Sequence, residues 1–203
     1  MPEALKKLIQ NINLLPGIGE KTATRIALFL LSTNNNFIND FKNNLSGIKE
    51  KIQYCKTCHA ITDAGKDFCT ICEKQTRNKN TICVVEEYLD MLTIEQAGGY
   101  DGVYHILGGA ISPINGIFIG DLNFESLFNR IENADDKVEI ILATNPNIEG
   151  EATSSYIKEE IEKRKLKHKT FLSRLSRGLS SGYIEFADNI TIINALKERK
   201  ELK

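Results

Sequence analysis

The sequence predicts an α+β chain of several modules. These are an N-terminal helical hairpin region, a four-cysteine metal module, an α/β domain with a parallel sheet, and a helical tail. Three observations carry that prediction. Apolar residues recur at helical spacing through the first fifty residues. Two Cys-x-x-Cys pairs fall within 18 residues. From residue 81 onward, short β-branched runs alternate with helix-like text.

Leu5, Leu8, Ile9 and Ile12 fall at i, i+3, i+4 and i+7, the stripe of an amphipathic helix. Leu15-Pro16-Gly17-Ile18-Gly19 breaks it. A second helix is expected over residues 20–31, with Ala23, Ile26, Ala27 and Leu30 on one face. Phe37, Phe41, Leu45 and Ile48 mark a third, although the asparagines of residues 34–44 are weak helix formers. Residues 54–80 have no periodicity and hold the cysteine pairs. Strands are expected at 81–85, 103–107, 138–143 and 170–172, and helices at 87–96, 124–131, 151–166 and 190–196. The expected boundaries are 1–53 for the hairpin region, 54–80 for the cysteine module, 81–175 for the α/β domain and 176–203 for the tail.

The 203 residues are 41% hydrophobic and 26% charged, an ordinary balance for a chain with a buried core. The net charge of −1 hides an asymmetry: residues 1–80 carry 12 Lys+Arg against 7 Asp+Glu, and residues 81–203 carry 14 against 20. A basic front can meet phosphate while an acidic back serves folding and partners; chance segregation is the plain alternative. No apolar run is long enough to span a membrane, and the first residues lack a secretory pattern, so a cytoplasmic chain is expected.

The spacing Cys55-x2-Cys58-x10-Cys69-x2-Cys72 suits a tetrahedral four-thiolate site. Each pair sets two thiolates on one side of a tight turn. With four thiolates no position is left for water, so one structural Zn2+ is expected; an iron–sulfur cluster is the competitor. His59 is read as a loop residue rather than a ligand, and Cys83 as a small buried apolar residue.

Residues 14–26 read Leu-Leu-Pro-Gly-Ile-Gly-Glu-Lys-Thr-Ala-Thr-Arg-Ile. A turn with Gly17 and Gly19 lets backbone N–H groups approach an anion, and the following helix offers its positive end. Lys21 and Arg25, four apart, add charge on one face. Gly17, Gly19, Lys21 and Arg25 are therefore the candidate DNA-binding residues, gripping phosphate without reading bases. The text closely resembles the helix-hairpin-helix motif of non-sequence-specific DNA-binding proteins. A hairpin used only for packing is the alternative.

Val84-Val85-Glu86 resembles the first motif of the Toprim fold of topoisomerases and primases, in which a glutamate serves acid/base chemistry and a later strand ends in an Asp-x-Asp magnesium site. Here that strand ends in Ala143-Thr144-Asn145-Pro146-Asn147. Two amides cannot supply the charge a hard cation needs. Glu149 and Glu151 follow at shifted spacing. A degenerate Toprim domain with no catalytic residues is expected; a magnesium-dependent nuclease or primase-like enzyme using Glu86, Glu149 and Glu151 is the alternative. A zinc-dependent scaffold whose hairpin binds only protein is a third reading.

Taken in order, these modules resemble the RecR family of bacterial recombination mediators along nearly the whole chain. Further matching stretches are Tyr104-His105-Ile106-Leu107, Glu149-Gly150-Glu151-Ala152-Thr153 and Ser173-Arg174-Leu175-Ser176-Arg177-Gly178-Leu179. Two stretches depart from it. Ser180-Ser181-Gly182-Tyr183 replaces a Pro and a Gly-Gly pair, and Gly108 stands where a His is common. The resemblance implies a ring-shaped homotetramer that binds single- and double-stranded DNA without sequence preference in recombinational repair of DNA damage. It implies RecO-like and RecF-like partners that help load RecA onto strands coated by single-strand-binding protein. It further implies Lys21 and Arg25 on the DNA side, Glu149 against the RecO-like partner, a tail packed on a neighbouring subunit, and a cytoplasmic, nucleoid-associated protein. Seven Lys+Arg lie in residues 163–177 with His168. They read either as a second phosphate-facing patch or as a solvated helix end followed by a lysine-guarded edge strand.

Overall fold

The computed structural model describes residues 1–176 and 183–202. The chain divides into two compact units, Met1–Lys51 and Ile52–Lys203. Arg177 and the altered stretch up to Gly182 lie outside the described residues.

The first unit holds α1 (Glu3–Asn13), α2 (Glu20–Ser32) and α3 (Asn35–Lys51). Its core is Ile9, Ile12, Ala23 and Ala27, with Leu5, Leu8, Ile18, Ile26 and Leu30 packed against them. The two alanines are wholly buried, so α2 presents small side chains where it meets the larger ones of α1. The asparagine run does form a helix. Asn34 accepts a hydrogen bond from the Phe37 N–H at 2.9 Å, which places a residue type poor inside helices at the cap it favours. The stripe Phe37, Phe41, Leu45 and Ile48 remains exposed, and α3 buries none of its residues.

The second unit opens with the hairpin β1 (Ile52–Tyr54) and β2 (Ile61–Asp63), then the single turn α4 (Thr70–Glu73). The sheet and helices follow as β3 (Asn78–Val85), α5 (Tyr88–Ala97), β4 (Gly102–Ile106), α6 (Phe124–Glu132), β5 (Val138–Ala143), α7 (Ile148–Lys163), β6 (Thr170–Arg174), α8 (Asn189–Lys197) and β7 (Lys200–Glu201). The sheet order is β4-β3-β5-β6-β7. The first four strands are parallel, and the two-residue β7 pairs antiparallel with β6. Cys83 stands opposite Tyr104 on one side and Ile141 on the other.

Strand alternation divides the core in two. Cys83 and Val85 face Met91 and Ile94 of α5 and Ile192, Ala195 and Leu196 of α8. Ile82 and Val84 face Leu127 and Phe128 of α6 and Ile157 and Ile161 of α7. The tail helix thus packs on α5 within the same chain. The expected helices and strands form, with shifted ends. The helix expected at 151–166 begins at Ile148, because the Asn147 side chain accepts from the Gly150 N–H at 2.7 Å and caps it. The helix expected from 87 uses Glu87 as its cap, with Asp90 accepting from the Glu87 N–H at 2.9 Å. The β1–β2 hairpin, α4 and β7 are too short to show a period.

Candidate metal centre and nucleic-acid interface

Cys55, Cys58, Cys69 and Cys72 converge, and their sulfurs all lie within 4.8 Å of one another. The β1–β2 hairpin carries the first pair, closed by Cys55 N–H to Ala60 C=O at 2.8 Å, with His59 at φ 62°. Cys69 caps α4, which carries Cys72. Cys55, Cys58 and Cys69 are buried, and none of the five cysteines is in a disulfide.

The donor set fits a metal ion. A tetrahedron with Zn–S bonds of about 2.3 Å has edges of about 3.8 Å, and Cys58 and Cys69 stand 3.5 Å apart. Four thiols this close do not ionise together unaided. The hydrogen bond shared between Cys69 and Cys58 pulls the Cys69 thiol pKa down and pushes that of Cys58 up. A cation at the centre resolves that conflict by accepting all four as thiolates.

The module is fastened to the sheet edge. The Cys58 carbonyl accepts from the Ile106 N–H of β4 at 2.9 Å. His59 stays out of the cluster: its Nε2 is 2.8 Å from the Ser126 hydroxyl of α6, and its ring meets His105 edge-on with centroids 5.4 Å apart. Cys83 lies inside β3, fully buried and away from the cluster, and burial raises its thiol pKa.

In the first unit, Gly17 adopts φ 75°, the left-handed conformation that the turn between α1 and α2 requires and that glycine accepts without strain. No atom stands within 4 Å of where a Cβ would lie at Gly17 or Gly19. Gly19 caps α2 with no side-chain hydrogen bond, so the first amides of the helix stay open. Lys21 and Arg25 are exposed one turn apart, and neither has a carboxylate partner among the described residues. Gly17 and Gly19 thus lie in the turn before α2, and Lys21 and Arg25 lie on its first two turns.

At the carboxyl edge of the sheet, Glu86 is 5% exposed. It accepts from the Asn145 backbone N–H at 2.9 Å and from Asn145 Nδ2 at 2.6 Å. Burial raises its pKa, and these donors pull it back only in part. Asn145 Oδ1 accepts from the Ile184 N–H at 3.0 Å, and Asn147 caps α7. Both amides at the Asp-x-Asp position therefore have structural partners. Glu149 sits half-buried in the first turn of α7 with no cation partner among the described residues. Glu151 pairs with Arg174 at 2.5 Å.

Most of the basic stretch is neutralised internally. Lys163 faces Glu159 and Glu160, Arg164 faces Glu125, Glu132 and Glu160, and Lys167 faces Glu162. Lys169 donates to the carbonyls of Glu132 and Ala134. That favours the solvated helix end over a phosphate-facing patch. Sequence reasoning missed Arg130, Ser126 and Asp90, since only the folded contacts mark them. Among the described residues no helix is long and apolar enough to cross a membrane.

Comparison with known proteins agrees with these parts. A model of the RecR helix-hairpin-helix matches residues 5–47, and a model of the Toprim domain matches residues 80–175. The chain is 41% identical over 202 residues to the recombination protein RecR of Streptococcus sanguinis, covering 99% of this chain and 98% of that one. The recombination protein RecR of Streptococcus thermophilus matches at the same 41% identity and coverage. With the hairpin, the four-cysteine cluster and the Toprim-like sheet in the order of that family, the chain belongs to the RecR family of recombination proteins.

Proposed function

We propose that the protein is a DNA-binding recombination mediator that acts as a clamp and loading factor rather than as an enzyme. The observation that carries this reading is the open end of α2. Two glycines, uncapped amides and the cations Lys21 and Arg25, which have no carboxylate partner among the described residues, together fit backbone phosphate. Family membership adds the context of recombinational DNA repair. The clamp is proposed to work in the cytoplasm at the nucleoid, with RecO-like and RecF-like partners, loading RecA onto single strands coated by single-strand-binding protein. Glu149, half-buried and without a cation partner among the described residues, is the proposed contact for a basic surface of the RecO-like partner.

The four cysteines are proposed to hold one Zn2+ in a structural site. The ion would be held by Cys55, Cys58, Cys69 and Cys72, and its role is to fold residues that have too few apolar side chains to fold alone. A homotetrameric ring is proposed because α3 leaves Phe37, Phe41, Leu45 and Ile48 exposed. Phe41 and Leu45 border an apolar groove of about 880 Å3 formed with Leu5, Leu8 and Leu30. The tail is proposed to exchange its packing with a neighbouring subunit in that ring.

The enzymatic alternative needs a magnesium site. Glu86 is occupied by Asn145, and neither Asn145 nor Asn147 carries charge. The proposal is tested by RecA filament assembly on strands coated with single-strand-binding protein, with the RecO-like partner present, and by light scattering. Acceleration by a tetramer-sized particle is expected. A monomer without effect, or magnesium-dependent DNA cleavage abolished by Glu86→Gln, overturns it.

A further inference from the structure

Arg130 lies in the last turn of α6 and reaches under the edge strand β4, where its Nη1 donates to the Tyr104 carbonyl at 2.8 Å. Two residues further along the same strand, the Ile106 N–H holds the Cys58 carbonyl at 2.9 Å. The guanidinium is therefore anchored to the strand that carries the first cysteine knuckle. It also shares a cavity of about 420 Å3 with Cys72, Thr57 and Phe68, so the second knuckle opens onto the same space.

A guanidinium has five N–H donors. The Tyr104 carbonyl is the one hydrogen-bond acceptor of Arg130 among the described residues, and no carboxylate pairs with it. Asp135 and Asp136 line the same cavity, but Asp136 accepts from Asn80 instead. Desolvation disfavours the charge on Arg130, and the thiolates of Cys72, Cys58 and Cys55 oppose that effect. A half-buried cation without a carboxylate is costly unless another anion faces it. A divalent ion bound by four thiolates carries a net charge of −2, and it is costly to bury for the same reason.

We propose that Arg130 is the counter-charge of the four-cysteine metal centre, a positioning residue whose guanidinium offsets the net negative charge of the loaded site beside the sheet edge. This rests on the reading of the cysteines as a metal site. Lys79 differs: it is exposed and donates to the Cys72 carbonyl at the rim, where water already screens its charge.

The test uses the full chain loaded with zinc, titrated with the chromogenic chelator 4-(2-pyridylazo)resorcinol at neutral pH. Arg130→Gln and Arg130→Met, which keep the stem and remove the charge, are expected to weaken zinc binding by about tenfold or more. Arg130→Lys is expected to stay within about threefold of wild type, as is the rim control Lys79→Gln. Having two neutral variants keeps the test readable if one fails to fold. Wild-type affinity in a folded neutral variant overturns the proposal. So does a lysine variant as weak as the neutral ones, since the Tyr104 hydrogen bond rather than the charge would then be what matters. A wild-type chain that binds no zinc sinks the metal reading itself, which is a separate and recognisable outcome.

Discussion

Glu86 and Asn145, 59 residues apart, grip each other through two hydrogen bonds, Asn145 N–H to Oε1 at 2.9 Å and Asn145 Nδ2 to Oε2 at 2.6 Å. An aspartate at 145 would keep the acceptor that Ile184 N–H uses and lose the donor that Glu86 uses. Two carboxylates would then face each other in a buried site. Asn145→Asp is expected to destabilise the fold by about 2–4 kcal/mol at pH 8. The loss should shrink as the pH falls and one carboxyl takes up a proton. Urea unfolding at pH 8 and pH 5.5 measures this, and equal losses at both would contradict the like-charge argument.

Gly150 sits against the same pair. A Cβ there would fall 2.0 Å from the Asn145 carbonyl oxygen and 2.7 Å from Glu86 Oε1. The nearer atom is backbone, so no side-chain rotation relieves the clash. Gly150→Ala is therefore expected to cost about 2 kcal/mol or more despite alanine's better helix propensity. A denaturant midpoint equal to or above wild type would count against the geometry.

Asp90 is 3% exposed, and burial lifts its carboxyl from 3.8 to about 7, with Glu86, Glu87 and Glu185 adding to the effect. A carboxyl raised on folding favours the native state while protonated. Its cost therefore grows as pH rises from about 4, where the unfolded chain ionises, to about 7, where the folded one does. Asp90→Asn keeps an acceptor for the Glu87 N–H and removes that cost. The variant is expected to gain on wild type across this window by on the order of 2–4 kcal/mol. Thermal unfolding of both proteins at pH 5, 6, 7 and 8 measures it. A pH-independent difference would mean that Asp90 does not titrate there.

Removing a metal held by the four cysteines should reach the sheet through one bond. The Cys58 carbonyl holds the Ile106 N–H of the edge strand. In hydrogen exchange, chelation is expected to speed exchange at Ile106 by about tenfold or more while the β5 amides of Ile140 and Leu142 change little. Unchanged protection at Ile106 would show that the knuckle and the strand open independently.

Local chemistry was legible in the sequence and remote chemistry was not. The cysteine spacing and the Pro-Gly-Ile-Gly turn each complete their geometry within a few residues, so the pattern alone located them. The apolar, β-branched runs likewise marked the strands that both faces of the sheet bury. Glu86 was legible as an acid at a strand end, but its partner lies 59 residues away, and nothing local marks it as clasped. Arg130 reads as an ordinary helix-end cation until β4 and the cysteines are set beside it. β7 has only two residues, too few for any period to register.

The hairpin in the first unit is proposed to grip DNA phosphate through Lys21 and Arg25. The most direct measurement is single-strand binding by wild type and a Lys21→Ala/Arg25→Ala variant at two salt concentrations. Binding that weakens with salt in the wild type is expected, and in the variant it should be weaker with a shallower salt slope, by roughly one unit for each lost contact. A variant that binds as tightly as wild type with the same slope would place the DNA surface elsewhere and contradict the account.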